Sequence, residues 1–191
     1  MTGGFGEIAE RLRRSTVQVR TGRGGSGSGV VWSAEGIVVT NAHVVRSNPI
    51  VIEAEDGRER SARVVAIDRT WDLAALRTNA ADLVSAAAGE SDDVRPGALV
   101  IAVGNPLGFA GALTRGIVHG VGPLPGAGPH HWIQAAIRLA PGNSGGPLAD
   151  ARGRVIGLNT MIYGGLGLAI PSATVANFVR CVRLMMGAAA A

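Results

Sequence analysis

The stretch Gly142-Asn143-Ser144-Gly145-Gly146-Pro147 is the part of the chain from which the chemistry and the fold can be predicted. A serine flanked by glycines can occupy a sharp turn that exposes its hydroxyl, and the glycines let a bound carbonyl approach the backbone closely. The amide hydrogens of Gly142 and Ser144 could then converge on one point, so Gly142, Asn143 and Ser144 are predicted to form an oxyanion hole. The alternative is a glycine-rich surface turn without chemistry.

The second candidate group is a base, because a serine hydroxyl is a poor nucleophile until its proton is removed. His43 lies in Thr40-Asn41-Ala42-His43-Val44-Val45, at the end of the apolar strand predicted over Ile37–Val39, where its imidazole would face a cleft. His119 is predicted in mid-strand. The pair His130-His131 is predicted in a loop rich in proline and glycine, and no metal site is expected there, because no carboxylate or thiol is near in sequence.

The third candidate group is a carboxylate that would hold the base in one tautomer. Asp72 opens the apolar stretch Leu73–Leu76, where a charge without a partner is costly. Asp68 is the rival, four residues earlier, and is more typical of a turn residue.

Short stretches rich in valine and isoleucine predict two series of β-strands, typical of a barrel or a sandwich. The first series is Val17–Val19, Gly29–Trp32, Gly36–Thr40, Ile50–Glu53, Ser61–Ile67 and Asp72–Arg77, and the second is Ala98–Val103, Thr114–Val121, Trp132–Ile137, Gly146–Ala149, Val155–Met161 and Leu166–Ile170. Apolar residues at helical spacing predict a helix over 4–14 and a closing helix over Ala173–Met186. The predicted units are therefore 1–14, 15–80, a linker over 81–96, 97–171, and a helix with a tail over 172–191.

The composition narrows the function classes. The chain has 191 residues, of which 47% are hydrophobic, so it can bury a substantial core. Its net charge is +4, but its basic residues are all arginines and are scattered, which argues against the basic stripe of a nucleic-acid-binding protein. Cys181 is the single cysteine, so no internal disulfide can form.

The sequence also predicts where the chain resides. The longest apolar stretch, over 97–113, is interrupted by Asn105, Pro106 and several glycines, so no membrane span is predicted. The segment Met1–Arg14 contains Glu7 and Glu10 and has no apolar core of a signal peptide. The chain as given is therefore expected in the cytoplasm, or in the periplasm or outside the cell if a leader was removed.

Six motifs along the chain resemble the trypsin-like serine peptidases, and within them the HtrA (Deg) type. The matching pieces are Thr40 to Val45, Asp72-Leu73-Ala74, Gly104-Asn105-Pro106-Leu107-Gly108, Thr114-Arg115-Gly116-Ile117-Val118, Gly142 to Pro147, and Gly167-Leu168-Ala169-Ile170-Pro171. The order His43, Asp72, Ser144 is also that of chymotrypsin. The resemblance implies an all-β fold of two perpendicular six-stranded antiparallel barrels, with His43 and Asp72 from the first and Ser144 from the second.

Two departures from the family pattern limit what the resemblance implies. HtrA proteins usually carry a peptide-binding PDZ domain after the protease domain, whereas the predicted closing helix is followed here by Gly187–Ala191. The family often has Thr-Asp-Ala-Ala-Ile-Asn before the Pro-Gly-Asn-Ser run, and Ala135–Ala140 occupies that place. Because this segment shapes the oxyanion hole and the pocket, catalytic efficiency and preference are not carried over from the family.

The substrate pocket is predicted from position in the family pattern. Its wall would be formed by Leu139, Ala140, Thr160, Met161, Gly167, Leu168 and Ala169. None of these is acidic, so a preference for arginine or lysine is not expected, and a small or aliphatic side chain is. Arg138 could either reach this pocket or face solvent, and the sequence favours neither.

The predicted reaction is hydrolysis of peptide bonds in unfolded or extended polypeptides through an acyl-enzyme, with no cofactor and no metal. One alternative is a weak or inactive peptide-binding, chaperone-like module on the same scaffold, and another is an esterase or other acyl transferase. The N-terminal helix could make contacts in a homo-oligomer, as N-terminal segments do in related trimeric proteases. Gly22–Gly27 fits the dinucleotide pattern G-x-G-x-x-G, but a strand follows it, so Ser26, Ser28 and these glycines are predicted to form a hairpin loop.

Overall fold

The computed structural model describes residues 4–22, 24–79, 82–105 and 111–188. The predictions that involve Met1–Gly3, Arg23, Ala80–Ala81, Pro106–Gly108 and Ala189–Ala191 lie outside these residues. The elements are α1 (Phe5–Arg14), β1 (Thr16–Thr21), β2 (Ser26–Ser33), β3 (Ile37–Asn41), β4 (Ile50–Glu53), β5 (Glu59–Asp68), β6 (Leu73–Thr78), β7 (Leu99–Gly104), β8 (Ala112–Pro123), β9 (His131–Ala136), β10 (Pro147–Asp150), β11 (Val155–Tyr163), β12 (Leu166–Pro171) and α2 (Ser172–Ala188).

The twelve described strands form two closed barrels of six antiparallel strands each. The first barrel has the strand order β1-β2-β3-β6-β5-β4, and the second has the order β10-β11-β12-β9-β8-β7. Closure pairs every strand on both sides, so neither barrel presents a free edge. The predicted fold class of two six-stranded barrels with a helix at each end is confirmed.

The start of β2 differs from the prediction. Ser26 and Ser28 were expected in a hairpin loop, but both lie in β2, where Ser28 pairs with Gln18 of β1. The turn itself lies earlier, because Gly22, Gly24 and Gly25 lie between β1 and β2, the Thr21 amide donates to the carbonyl oxygen of Gly25 at 2.9 Å, and Gly24 has a φ of +75°. The expected hairpin loop is therefore present at these glycines but was wrong for Ser26 and Ser28, since a run of glycine and serine has the same composition in a strand as in a turn.

His131 also differs from its predicted place. It was expected in a loop with His130, but it is the first residue of β9 and pairs with Pro123 of β8. His130 remains outside the strands, and its ring stacks on Trp71 of the other barrel with centroids 3.9 Å apart.

Each barrel has its own apolar interior, and one larger cluster joins the two. That cluster contains Leu73 and Val39 of the first barrel, Leu158 of the second, and Val175 and Val179 of α2. All are nearly inaccessible to solvent, and burying a side chain of this size stabilises a fold by about 1.5–3 kcal/mol. The helix α2 therefore packs against both barrels along their junction.

At the other end of the chain, α1 is fixed to the second barrel. Leu12 is buried against Ile101 and Val155, and the Arg13 guanidinium donates to the carbonyl oxygen of Gly111 at 2.9 Å. Within the described ranges, neither helix is long and apolar enough to cross a membrane.

Candidate active site

The pairing of β3 with β6 brings His43 and Asp72 together. Asn41, the last residue of β3, lies opposite Leu73, the first residue of β6, so the residues just beyond these two strand ends are neighbours. The carbonyl oxygen of Asp72 accepts hydrogen bonds from the Ala42 amide at 2.9 Å and from the Asn41 side chain at 3.0 Å. The strand register therefore places an imidazole beside a carboxylate.

Both oxygens of the Asp72 carboxylate are bonded to His43. Oδ1 accepts from the His43 backbone amide at 2.9 Å, and Oδ2 lies 2.6 Å from Nδ1 of the imidazole ring. A carboxylate can only accept a hydrogen bond, so in the neutral ring the proton is on Nδ1 and the lone pair is on Nε2. This is the tautomer in which Nε2 can act as a base.

The backbone at Asp72 is strained. Its φ is +54°, and among the described residues it is the one non-glycine residue with a positive φ. The left-handed region costs an L-residue roughly 1–2 kcal/mol, so the surrounding hydrogen bonds must hold it. Such strain is typical of functional sites. The rival Asp68 accepts from the amides of Thr70 and Trp71 and thus serves a turn, as predicted.

The pKa of Asp72 is lowered in the folded chain. Burial acts to raise this pKa, but the hydrogen bonds from the side chain and backbone amide of His43, together with the charge of its ring and the Thr160 hydroxyl, outweigh burial. The carboxylate is therefore ionised at neutral pH and can stabilise a positive imidazole beside it.

Ser144 is connected to Asp72 through Thr160, but its hydroxyl does not donate to the imidazole of His43. Ser144 Oγ donates to the carbonyl oxygen of Thr160 at 3.0 Å, and no hydrogen bond joins Ser144 to His43 in the described part of the chain. The hydroxyl of the same Thr160 donates to Asp72 Oδ2 at 3.1 Å. Thr160 therefore connects the serine of one barrel to the carboxylate of the other.

The contact between Thr160 and Asp72 was not predicted. Thr160 was placed in the pocket wall, and nothing in its local sequence marks a second contact. Asn159 exchanges backbone hydrogen bonds with Gly145 and Gly146, which places Thr160 beside Ser144, and the first barrel brings Asp72 to the Thr160 hydroxyl.

The residues before Ser144 form a tight turn. The Asn143 amide donates to the carbonyl oxygen of Ala140 at 3.0 Å, and Gly142, the third residue of this turn, has a φ of +104°. Proline at the second position and glycine with positive φ at the third are the pattern of a type II turn. The amide of Asn143 is occupied by the turn, whereas those of Gly142 and Ser144 have no acceptor within the described residues.

The glycines after Ser144 allow the two barrels to meet closely. A Cβ on Gly145 would lie 2.1 Å from the carbonyl oxygen of Ser28 and 2.3 Å from Thr40 Oγ1, and its φ is +84°. Any other residue would therefore be excluded by contact and by backbone conformation. The Ser28 amide also donates to the carbonyl oxygen of Ser144 at 2.8 Å.

A cavity opens beside Ser144. Its lining residues are Leu139, Ala140, Pro141, Asn143, Ser144, Asn159, Thr160, Met161 and Ile162. Four residues of the predicted wall are among them. Gly167, Leu168 and Ala169 do not line it, because Leu168 and Ala169 are buried in the apolar clusters and Gly167 packs against Leu139. Arg138 is exposed to solvent and does not line the cavity.

The lining contains no acidic or basic side chain. A guanidinium or ammonium group placed there would lose its hydration without gaining a partner, which is strongly unfavourable. Across the described ranges, no group of three or more histidine, cysteine, aspartate or glutamate side chains could hold a metal ion.

Comparison with known proteins points to one family. The profile of the family described as "Trypsin-like peptidase domain" matches residues 27–158. A "Probable periplasmic serine endoprotease DegP-like" of Brucella suis biovar 1 is 43% identical over 163 residues, which are 80% of this chain and 32% of that protein. A "Putative serine protease HhoB" of a Synechocystis species is 40% identical over 163 residues, which are 80% of this chain and 39% of that protein.

Solved structures agree with the sequence comparisons. The "HtrA-type protease AlgW with tripeptide" has a TM-score of 0.88 and 33% identity, over 94% of this chain and 63% of that one. The "HtrA-type protease AlgW with decapeptide" has a TM-score of 0.86 and 28% identity, over 94% of this chain and 67% of that one. The chain thus spans 32% and 39% of the two curated relatives and about two thirds of the two solved chains.

Proposed function

The chain belongs to the trypsin-like peptidase family, and from this premise we propose that it is a serine endopeptidase of the HtrA type acting through His43, Asp72 and Ser144. The observation that carries the proposal is the 2.6 Å contact between Asp72 Oδ2 and His43 Nδ1, because it leaves Nε2 as the basic nitrogen. The substrate is an unfolded or extended polypeptide, which is cut within its length.

The reaction begins with a change of acceptor at Ser144. The hydroxyl turns about its Cα–Cβ bond from the Thr160 carbonyl towards Nε2 of His43, which removes the proton as Oγ attacks the peptide carbonyl carbon. The hydrogen bond from Ser144 to His43 forms when substrate is bound, since such bonds are often long or absent in a free enzyme. Asp72 stabilises the imidazolium that results.

The negative oxygen of the tetrahedral intermediate is held by backbone amides. Those of Gly142 and Ser144 are the donors, because each lacks an acceptor within the described residues, while the turn uses the Asn143 amide. An amide aimed at the place where charge develops requires no reorganisation during the reaction. The hole predicted over Gly142, Asn143 and Ser144 thus has two donors, and Asn143 supports it through the turn.

The second half of the reaction returns the enzyme to its starting state. The imidazolium of His43 gives its proton to the leaving amine as the peptide C–N bond breaks, and the acyl group stays on Ser144 Oγ as an ester. His43 then removes a proton from water, whose oxygen attacks the ester, and Ser144 recovers its proton when the acid leaves. No cofactor or metal takes part in these steps.

Three broader features of the protein are part of the proposal. The uncharged cavity beside Ser144 selects a small or aliphatic side chain at P1, the residue that precedes the cut bond. The Brucella suis relative is named a periplasmic endoprotease, so we place this protein in the periplasm, and the expectation of a cytoplasmic protein is not supported. A homo-oligomer with contacts through α1 stays a prediction.

The test is labelling and hydrolysis with two serine variants. The wild-type chain is expected to hydrolyse unfolded polypeptides and to be labelled by a fluorophosphonate at Ser144, whereas Ser144→Ala loses both but keeps its circular dichroism spectrum. Ser85→Ala, at an exposed serine between the barrels, serves as the control and should retain both properties. Unchanged hydrolysis by Ser144→Ala would refute the mechanism, and turnover of esters without turnover of peptides would favour an esterase.

A further inference from the structure

Ser28 is a residue of the first barrel whose side chain contacts the oxyanion turn of the second. It is fully buried, and its Oγ donates to the carbonyl oxygen of Gly142 at 2.6 Å. The same Oγ accepts from the backbone amide of Asn105 at 2.9 Å and from the Asn105 side chain at 3.4 Å. Donor and acceptor capacities of this hydroxyl are thus both used at the turn.

The backbone of Ser28 is fixed to the catalytic groups as well. Its amide donates to the carbonyl oxygen of Ser144, and its own carbonyl oxygen accepts from the Thr40 hydroxyl at 2.6 Å. Thr40 lies in β3, three residues before His43. Ser28 of β2 is therefore bonded to β3, the strand that precedes His43, and it also contacts Ser144 and the turn at Gly142.

The turn needs such a restraint because Gly142 is intrinsically free to rotate. Glycine adopts positive and negative φ with similar ease, so nothing in this residue itself favours +104°. A rotation of the peptide before Gly142 would turn its amide hydrogen away from the substrate. A hydrogen bond to the carbonyl oxygen of Gly142 fixes the peptide group that follows this residue, and so restricts rotation about the Gly142 backbone.

We propose that Ser28 is a positioning residue for the proposed hydrolysis, whose hydroxyl holds the Gly142 carbonyl and so keeps the Gly142 amide aimed into the oxyanion hole. This inference rests on the proposed function. Because Ser28 is fully buried, its hydroxyl acts through the Gly142 carbonyl, while its backbone amide donates to the carbonyl oxygen of Ser144. Asn105 orients the hydroxyl by occupying its acceptor side, and the Asn105 side chain also accepts from the Gly111 amide at 2.9 Å.

The experiment compares Ser28→Ala with a matched buried serine of the same strand. Ser33 is also buried in β2, and its Oγ has no partner in the described part of the chain, so Ser33→Ala is the control. The rate of peptide hydrolysis is divided by the concentration of active sites, which is determined by titration with a fluorophosphonate. Thermal unfolding is recorded for every variant. Ser28→Cys is included because a thiol is a weaker donor of nearly the same shape.

We expect Ser28→Ala to lower kcat by about tenfold to a hundredfold with KM changed less than about twofold, since an interaction made in the transition state is weakened. The affinity of a peptide boronic acid, whose boronate oxygen occupies the hole, should fall by the same factor. The kcat and boronate affinity of Ser28→Cys should lie between those of the wild type and those of Ser28→Ala. Both values for Ser33→Ala should match the wild type.

Other outcomes separate the failure of this role from the failure of the proposed function. A lower thermal midpoint for Ser28→Ala with unchanged kcat and unchanged boronate affinity would make Ser28 merely structural and overturn the inference. An equal fall for Ser33→Ala would overturn it too. A wild-type chain that neither hydrolyses peptides nor reacts at Ser144 would refute the proposed function, and this inference with it.

Discussion

Thr160 of the second barrel donates its hydroxyl hydrogen to Asp72 of the first at 3.1 Å. The carbonyl oxygen of the same residue accepts the hydroxyl of Ser144 at 3.0 Å. One residue therefore contacts the carboxylate and the nucleophile at once, across the junction of the two barrels. The strength of this link can be tested separately from the triad.

Removal of the Thr160 hydroxyl should slow catalysis without abolishing it. Thr160→Val keeps the shape and the carbonyl but withdraws a donor from an ionised carboxylate, a hydrogen bond that contributes about 1.5–3 kcal/mol. We expect kcat to fall roughly tenfold and Thr160→Ser to restore it. Steady-state kinetics with a peptide substrate measure this.

A buried threonine elsewhere separates catalysis from stability. Thr78 donates to the carbonyl oxygen of Ser61 within the first barrel, so Thr78→Val should lower the thermal midpoint and leave kcat unchanged. If Thr160→Val and Thr78→Val have the same kcat, the hydroxyl of Thr160 has no part in catalysis.

Substitution of Gly142 should disable the oxyanion hole. An alanine at its φ of +104° is strained, so Gly142→Ala is expected to move the turn and to lower kcat by about a hundredfold. Gly57 is a matched control, because its φ is +77° and the space around its Cβ position is open. Gly57→Ala should cost roughly 1–2 kcal/mol in urea unfolding and change kcat little. Comparable losses of kcat in both variants would contradict this account of the turn.

The lowered pKa of Asp72 predicts a loss of stability in acid. The unfolded carboxyl titrates at about 3.9, and the folded one at a lower pH, so ionised Asp72 stabilises the fold above that range. This contribution disappears as the pH falls below about 4 and through the folded pKa, because the unfolded chain binds the proton first.

The measurement is urea unfolding in a Ser144→Ala background, which prevents self-digestion. The difference in unfolding free energy between this chain and its Asp72→Asn derivative should shrink as the pH is lowered from 6 towards 2.5. A difference that stays constant over this range would show that the folded and unfolded pKa values of Asp72 are equal.

The uncharged cavity predicts the residue preference at P1. In a peptide series that varies P1 alone, kcat/KM for alanine, valine or leucine should exceed that for arginine by at least about tenfold, because the lining offers no partner for a guanidinium. Leu139→Ala should shift the preference to larger side chains, since Leu139 lines the cavity and its truncation would widen it. Leu99→Ala, at an exposed site on β7, should leave the preference unchanged. A peptide series cut best after arginine would refute this reading of the pocket.

Sequence reasoning succeeded where the signal is local. The strand Ile50–Glu53 was predicted to the residue, because a short run of isoleucine and valine lies between Pro49 and the turn at Asp56 and Gly57. His43 and Asp72 were found because each lies at the end of an apolar strand, and a polar group in such a place needs a partner.

Sequence reasoning failed where the signal depends on distant contacts. Ser28 looked like a loop residue, because Ser26 to Gly29 has the composition of a turn, and its contacts with Gly142 and Ser144 come from the second barrel, more than a hundred residues away in sequence. The second contact of Thr160 is with Asp72 of the other barrel, 88 residues away in sequence, so no local pattern marks it. Gly167, Leu168 and Ala169 of the predicted pocket wall are all buried in β12, and Met161 and Ile162 of β11 line the cavity instead.

The position of α2 has a consequence for the timing of activity. Val175, Val179 and Val182 lie over the seam between the barrels, yet α2 leaves the ribosome after both of them. In a nascent chain, the two barrels that carry His43, Asp72 and Ser144 can therefore fold before α2 packs against both of them and fixes their relative position. Translation in vitro with arrest before and after residue 188 should show fluorophosphonate labelling only in the longer product, and equal labelling of both would contradict this delay.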